Sequence, residues 1–310
     1  MSWLIVAISA YLFLAIANLI DKFLVDNIIK SSKAYAFIVC LMGGVVVLGA
    51  PWFLQWPGAF LFALNILAGF LFAIALWLLY EALRKGEASR IIVIVGGTTP
   101  IFSGIIALLL GERFNATQWL GITSLLIGIF VIAFLPQPRS FCARVLKKFN
   151  ITQEGKKNGV MIAVFSALAY ALFFWLSKYT YNHQEFASAF IWNRIGAALF
   201  VLLFLARKKD RRSIKRMLTR PNKNKHKLLV LFNQFLGATG FILQNYAIFL
   251  GPVVLVNALQ GVQYAFLLII STVLALMAPK LLKETFSWRI VLQKLAAILF
   301  ISIGLYFIIM

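Results

Sequence analysis

"VLLFLARKKDRRSIKRMLTRPNKNKHKLLVLF", residues 201–232, sets a basic run between two apolar ones. Its centre, residues 206–227, holds eleven of the chain's 30 Lys and Arg residues. Three readings compete: a nucleic-acid grip, a lipid-binding patch, or a signal fixing one side of a membrane. The run has no aromatic residue on which a base would stack and no folded module around it, so nucleic acid is set aside. What surrounds it decides between the others.

Of 310 residues, 62% are hydrophobic and 13% charged, with 29 Phe and a mean hydropathy of +0.92. That leaves too little polar surface for a soluble particle of this size. Apolar runs of about 18 to 25 residues recur along the chain, each long enough to cross about 30 Å of hydrocarbon. The alternating pattern of a transmembrane barrel is missing. The fold class expected is therefore an all-α integral membrane protein.

Ten transmembrane helices are expected, at about 3–20, 34–54, 59–82, 91–110, 117–135, 159–180, 186–206, 228–249, 253–278 and 287–309. Most prolines punctuate span ends, where they cost no helical hydrogen bond; Pro100 alone falls inside a span. The opening "MSWLIVAISA" has no basic residue ahead of its apolar run, so it reads as a retained helix and not a cleaved signal. Cys40 and Cys142 form no CxxC pair or disulfide framework, and no cofactor or metal set is legible.

Basic residues are distributed one-sidedly. The loops after spans 1, 3, 5, 7 and 9 carry 26 of them, and those after spans 2, 4, 6 and 8 carry two. Basic residues in short loops resist translocation, so the 26 belong on the cytoplasmic side of the plasma (inner) membrane and both termini face outward. The 207–227 segment is then a cytoplasmic loop, with anionic membrane lipids as partners.

The chain also repeats itself. "ANLIDKF" (17–23) aligns with "FFWLSKY" (173–179), and "FIVCLMG" (37–43) with "FIWNRIG" (190–196). "ALRKGEASRIIVIVG" (82–96) aligns with "AIFLGPVVLVNALQG" (247–261), and "LLGERF" (109–114) with "LLKETF" (281–286). Four matches in one order indicate a duplication, residues 1–150 against 151–310. Five helices per unit force the second unit upside down, giving two inverted five-helix repeats. The charges agree. Loop 3–4 carries three basic residues and its partner, loop 8–9, none.

At this point the sequence resembles the drug/metabolite transporter superfamily, its EamA-like ten-helix members in particular. The most specific stretch is "TTPIFSGIIALLLGERFNATQWLG" (98–121), together with the "ALRKGEAS" turn. Two departures stand out: Leu41 replaces a basic residue often found at the equivalent of Arg194, and Ala265 occupies the repeat position of Pro100. The resemblance implies a secondary transporter of a small polar organic solute, an amino acid or other metabolite, bound between the halves and moved by alternating access.

Polar residues within spans nominate the site. Arg194 lies eight residues from Phe186, about 12 Å deep and near the midplane. It either anchors a carboxylate or phosphate or bonds backbone carbonyls or a helix-end acid. Asn257, Gln260 and Tyr264 share a helical stripe flanked by Gln263, and Thr98 and Thr99 sit at the repeat-equivalent positions. Trp192, Tyr170 and Trp175 are aromatic candidates; Asn18, Asn65, Asn193, Gln244 and Asn245 are unranked. All nine acids fall in loops or at span ends, so no midplane carboxylate offers a proton relay. An intramembrane transferase is disfavoured because both histidines, His183 and His226, lie in loops. A non-transporting subunit or scaffold stays open as the alternative.

Overall fold

The computed structural model describes residues 2–27, 31–85, 88–133, 154–219, 224–277 and 288–309. Among them every regular element is helical. In chain order these are α1 Ser2–Asn27, α2 Ser32–Gly43, α3 Ala59–Lys85, α4 Ala88–Leu109, α5 Ala116–Ala133, α6 Glu154–His183, α7 Phe186–Leu202, α8 Lys208–Thr219, α9 Asn224–Leu250, α10 Val253–Ala258, α11 Gln260–Met277 and α12 Trp288–Ile309. Six described segments are long and apolar enough to cross a membrane: Ser2–Asp21, Ser32–Phe53, Ala59–Lys85, Gly159–His183, Phe186–Ala206 and Leu228–Leu250. Ile94–Leu109 and Val253–Leu267 are shorter apolar helices.

The "LLLGERFNATQ" stretch explains itself as helix-end chemistry. Gly111 takes φ +83°, a conformation that costs a residue without Cβ nothing. Its N–H reaches Leu108 O at 3.1 Å and the Glu112 N–H reaches Ala107 O at 2.9 Å, closing α4 in a Schellman motif. Four residues on, the Gln118 side chain accepts from the Asn115 N–H at 3.0 Å, the reciprocal half of a capping box opening α5.

Three elements depart from the sequence reading. The basic 207–227 segment is not a plain loop: Lys208–Thr219 is helix α8. No Gly or Pro interrupts it, Ile214 is buried in the core, and Lys33 Nζ meets Asp210 Oδ2 at 2.7 Å. Pro221 follows its end, and residues 220–223 lie outside the described set. The expected ninth span breaks at Leu259 into α10 and α11, where Val262 N–H bonds back three residues to Leu259 O at 2.9 Å. Gly261 at the break is a weak helix former. Finally α1 runs on through Asp21 and Lys22 to Asn27, because straight-chain and apolar residues continue the helix past the end of the hydrophobic window.

Partners across the chain's midpoint hold the bundle together. Ser166 Oγ donates to Ala75 O at 2.7 Å while the Phe72 ring meets Phe173 at 5.3 Å, so α3 and α6 run antiparallel. Helices α1 and α9 do the same. A Cβ on Gly251 would strike Trp3, one on Gly240 would meet Ala10 and Leu14, and Asn233 bonds Asp21. By contrast α3 and α7 run parallel, with Phe62 against Trp192 and Phe70 against Phe200. Ser124 on α5 donates to Phe300 O on α12 at 2.7 Å.

Candidate functional site

Arg194 sits on α7, 4% exposed. Phe72, Phe241, Phe190 and Phe173 surround its guanidinium, with ring centroids 4.0, 4.7, 5.1 and 5.9 Å from Cζ. Such rings offer their negative faces to a cation. No carboxylate pairs with it: the ion pairs among the described residues are Lys33–Asp210, Arg84–Glu81 and Lys85–Glu81. Its Nε and Nη2 are buried and have no hydrogen-bond partner. Of the two sequence readings of this residue, bonding to carbonyls or to a helix-end acid is not what the geometry has.

Arg194 borders a cavity of about 400 Å³. The void extends from Arg194 past Tyr170 and Thr99 to Asp21, Tyr80 and Ile92. That is the end of the bundle where α1 and α3 finish and α4 starts, and where the basic residues of α3 and α8 gather. Of the sequence candidates, Arg194, Tyr170, Thr99, Gln260 and Gln263 line it, as do Asn18 and Gln244 from the unranked set. The Gln263 Oε1 atom is buried without a partner. Thr98 and Thr99 both spend their hydroxyls on their own helix, donating at 2.7 Å to Ile94 O and Val95 O, just ahead of Pro100. Asn257 stands outside the cavity wall and donates to Ser103 Oγ at 2.9 Å. Trp175 bonds the Ser103 carbonyl at 3.1 Å. The Tyr264 side chain lies outside the described residues, as does Cys142; Cys40 is a buried free thiol.

Asp21 is the feature that span boundaries hid. A first span of about 3–20 leaves this carboxylate just past its end, but it lies six residues inside α1 and lines the cavity. Tyr35 Oη donates to its Oδ1 at 2.6 Å and Asn233 Nδ2 at 2.7 Å. Tyr35 also packs edge-on against Tyr80 at 4.6 Å. The legible signal was the helix-compatible "KFLVDN" that follows. The aromatic cage was not legible, because 29 Phe residues offer no way to single out four.

At the opposite end the segment before α3 is tied to α7. Gln55, in the segment before α3, exchanges 3.1 Å bonds with Ser188: its N–H donates to Oγ, and Oγ donates to its carbonyl. Trp192 Nε1 donates to the same carbonyl at 3.0 Å, and its ring meets Trp56 and Phe62 edge-on. Trp192 is therefore part of this tie and stands apart from the cavity wall. Deeper in, Tyr181 Oη donates to Asn245 Oδ1 at 3.0 Å and Asn193 Nδ2 to Ser177 Oγ at 3.3 Å. Asn65, fully buried, has both side-chain polar atoms unpartnered.

Residues 1–134 match the EamA-like transporter family, in agreement with the drug/metabolite transporter resemblance. A solved crystal structure superposes with a TM-score of 0.65 at 14% identity, covering 98% of this chain and 98% of that one; at that identity the likeness is one of fold. No curated protein sequence matches the chain. The family match and the membrane-length helices make this a multi-pass membrane protein of the transporter type.

Proposed function

We propose that this chain, with its EamA-like first half, is a secondary transporter that carries a small polar organic solute by alternating access. Ten spans form two inverted five-helix repeats, 1–150 and 151–310, in the plasma membrane. The termini face outward and α8 lies on the cytoplasmic side against anionic headgroups. Solute binds in the central cavity, with Arg194 as its anchor and Gln260, Gln263, Tyr170 and Thr99 as walls. Asn257 and Thr98 stand behind that wall, Trp192 belongs to the contacts at the other end, and Tyr264 shares a helix with Gln260 and Gln263.

One observation carries the reading: a buried cation that has no counter-ion among the described residues and borders a cavity. Leaving charged donors unsatisfied in a low-dielectric interior costs several kcal/mol unless something binds them. A ligand that is absent part of the time accounts for that arrangement, and a scaffold gives no reason for it. Support for inverted repeats comes from exchanged contacts. The third span packs antiparallel on the sixth as the eighth does on the first, which is the pairing a two-fold axis in the membrane plane produces. The cavity reaches the basic end of the bundle while the Gln55–Ser188–Trp192 contacts close the other, consistent with a conformer open to the cytoplasm.

The test is flux. Protein reconstituted in liposomes should release a preloaded metabolite mixture, and Arg194→Ala should abolish the release of whichever solute moves. Wild-type rates from that variant across the mixture would remove the cavity from the transport path.

A further inference from the structure

The same cavity, taken as the transport site, carries information about what fits it. A guanidinium projects its N–H donors in its own plane, and Phe72 and Phe241 lie over it at 4.0 and 4.7 Å. An acceptor must therefore arrive edge-on. Nε and Nη2 are buried without a hydrogen-bond partner, so the fork keeps uncommitted donors of the kind a planar carboxylate accepts bidentately. Among the described lining residues Arg194 is the one cation, and Asp21 adds a negative charge further along the void. A single anionic group matches the one positive charge of Arg194, while a diphosphate brings a second that no other described lining cation meets and that Asp21 repels.

The body of the ligand is constrained as strongly. Phe72, Phe190, Phe241, Phe174 and Tyr170 line the cavity around the guanidinium, with Leu76 and Val95 beyond them. Several wall amides are already engaged: Asn233 donates to Asp21 at 2.7 Å and Gln244 to Tyr11 at 3.4 Å. A sugar would bury hydroxyls against these rings without partners, at a cost for each. A ring or short alkyl chain packs there favourably.

We infer that the cavity selects organic monocarboxylates with an apolar, preferentially aromatic body, the carboxylate seated on the Arg194 guanidinium and the ring held among Phe72, Phe190 and Phe241. An amine on the ligand is not required, because Arg194 alone satisfies the carboxylate and Asp21, further along the void, already accepts from Tyr35 and Asn233. This rests on the transport-site reading but is separable from it.

Thermal unfolding of the purified full chain in detergent tests the assignment, with four probes at millimolar concentration: 3-phenylpropionate, its neutral amide 3-phenylpropanamide, gluconate and UDP-glucose. Binding to the folded state raises the melting temperature. Phenylpropionate should raise it, and the other three should leave it unchanged. Arg194→Gln should erase the phenylpropionate shift, and Arg194→Lys, which keeps charge but loses the fork, should weaken apparent affinity about tenfold or more. A shift with the amide equal to that with the acid overturns the anchor. A larger shift with gluconate or UDP-glucose, lost in Arg194→Gln, overturns the ligand class while leaving the transport site standing. No shift with phenylpropionate overturns the inference outright, whatever the liposome flux shows. If Arg194→Gln does not fold, the acid–amide comparison on the wild type decides.

Discussion

Gly69 and Gly196 meet backbone to backbone where α3 crosses α7. A Cβ built on Gly196 would lie 2.7 Å from Ile66 O and 3.2 Å from the Gly69 Cα. One on Gly69 would overlap the Asn193 carbonyl. Arg194 is two residues from this crossing, so the close approach sets the depth of the guanidinium beside Phe72.

Substituting either glycine by Ala forces backbone apart, since no flexible side chain can yield. We expect Gly196→Ala to destabilise the protein by about 1–3 kcal/mol, the usual cost of overpacking, or more because the obstacle is main chain. Gly237→Ala is the control: its Cβ would lie 3.9 Å from the Ala17 Cβ, an ordinary contact, and its effect should be near zero. Denaturant titration in detergent measures both.

Asp21 depends on two donors, and removing one is informative. Tyr35→Phe deletes the 2.6 Å bond but keeps the ring against Tyr80. Hydrogen bonds to charged groups contribute about 1.5–3 kcal/mol, so a loss near the lower end is expected, as Asn233 still donates. Tyr80→Phe, with no bond to Asp21, should cost less. Equal losses in the two variants would show that the carboxylate does not rely on Tyr35.

What the sequence made legible followed from long patterns, and what it hid followed from single contacts. Membrane-length helices depend on sums over many residues, and the singling out of Arg194 on one residue being costly in lipid. The α8 helix escaped because a dense basic run looks like loop. Yet its helix is fixed by Ile214 docking and by the Lys33–Asp210 contact, whose partners are 177 residues apart. Asp21 escaped because hydropathy windows end at charges and helices do not. Trp192 is a cavity candidate in the sequence only because it is aromatic and within a span; its bond to Gln55, from a segment 137 residues away, cannot be read from spacing.

Orientation is testable with two cysteines introduced after Cys40 and Cys142 are replaced by Ala. Arg212 is exposed on α8, and Trp56 is exposed near the opposite end of the bundle. In intact cells a membrane-impermeant thiol reagent should label Trp56→Cys and spare Arg212→Cys until the membrane is opened. The reverse result would turn the whole chain over and, with it, the side from which the cavity fills.

The Trp192–Gln55 bond links the segment before α3 to α7 at the closed end, at 3.0 Å. A bond formed in one conformer and broken in the other biases the equilibrium between them by its own net free energy. Trp192→Phe keeps ring contacts with Trp56 and Phe62 and deletes the donor, removing about 1 kcal/mol from the closed arrangement. The population open at that end should rise about fivefold. Asn65 reports it: it is fully buried and its amide has no partner to lose, so Asn65→Cys reads access without disturbing a bond. Its labelling rate from the Trp56 side should increase about fivefold in the Trp192→Phe background. An unchanged rate would mean that the donor does not hold this end shut, and the Ser188 bonds to Gln55 would then be the contacts that do.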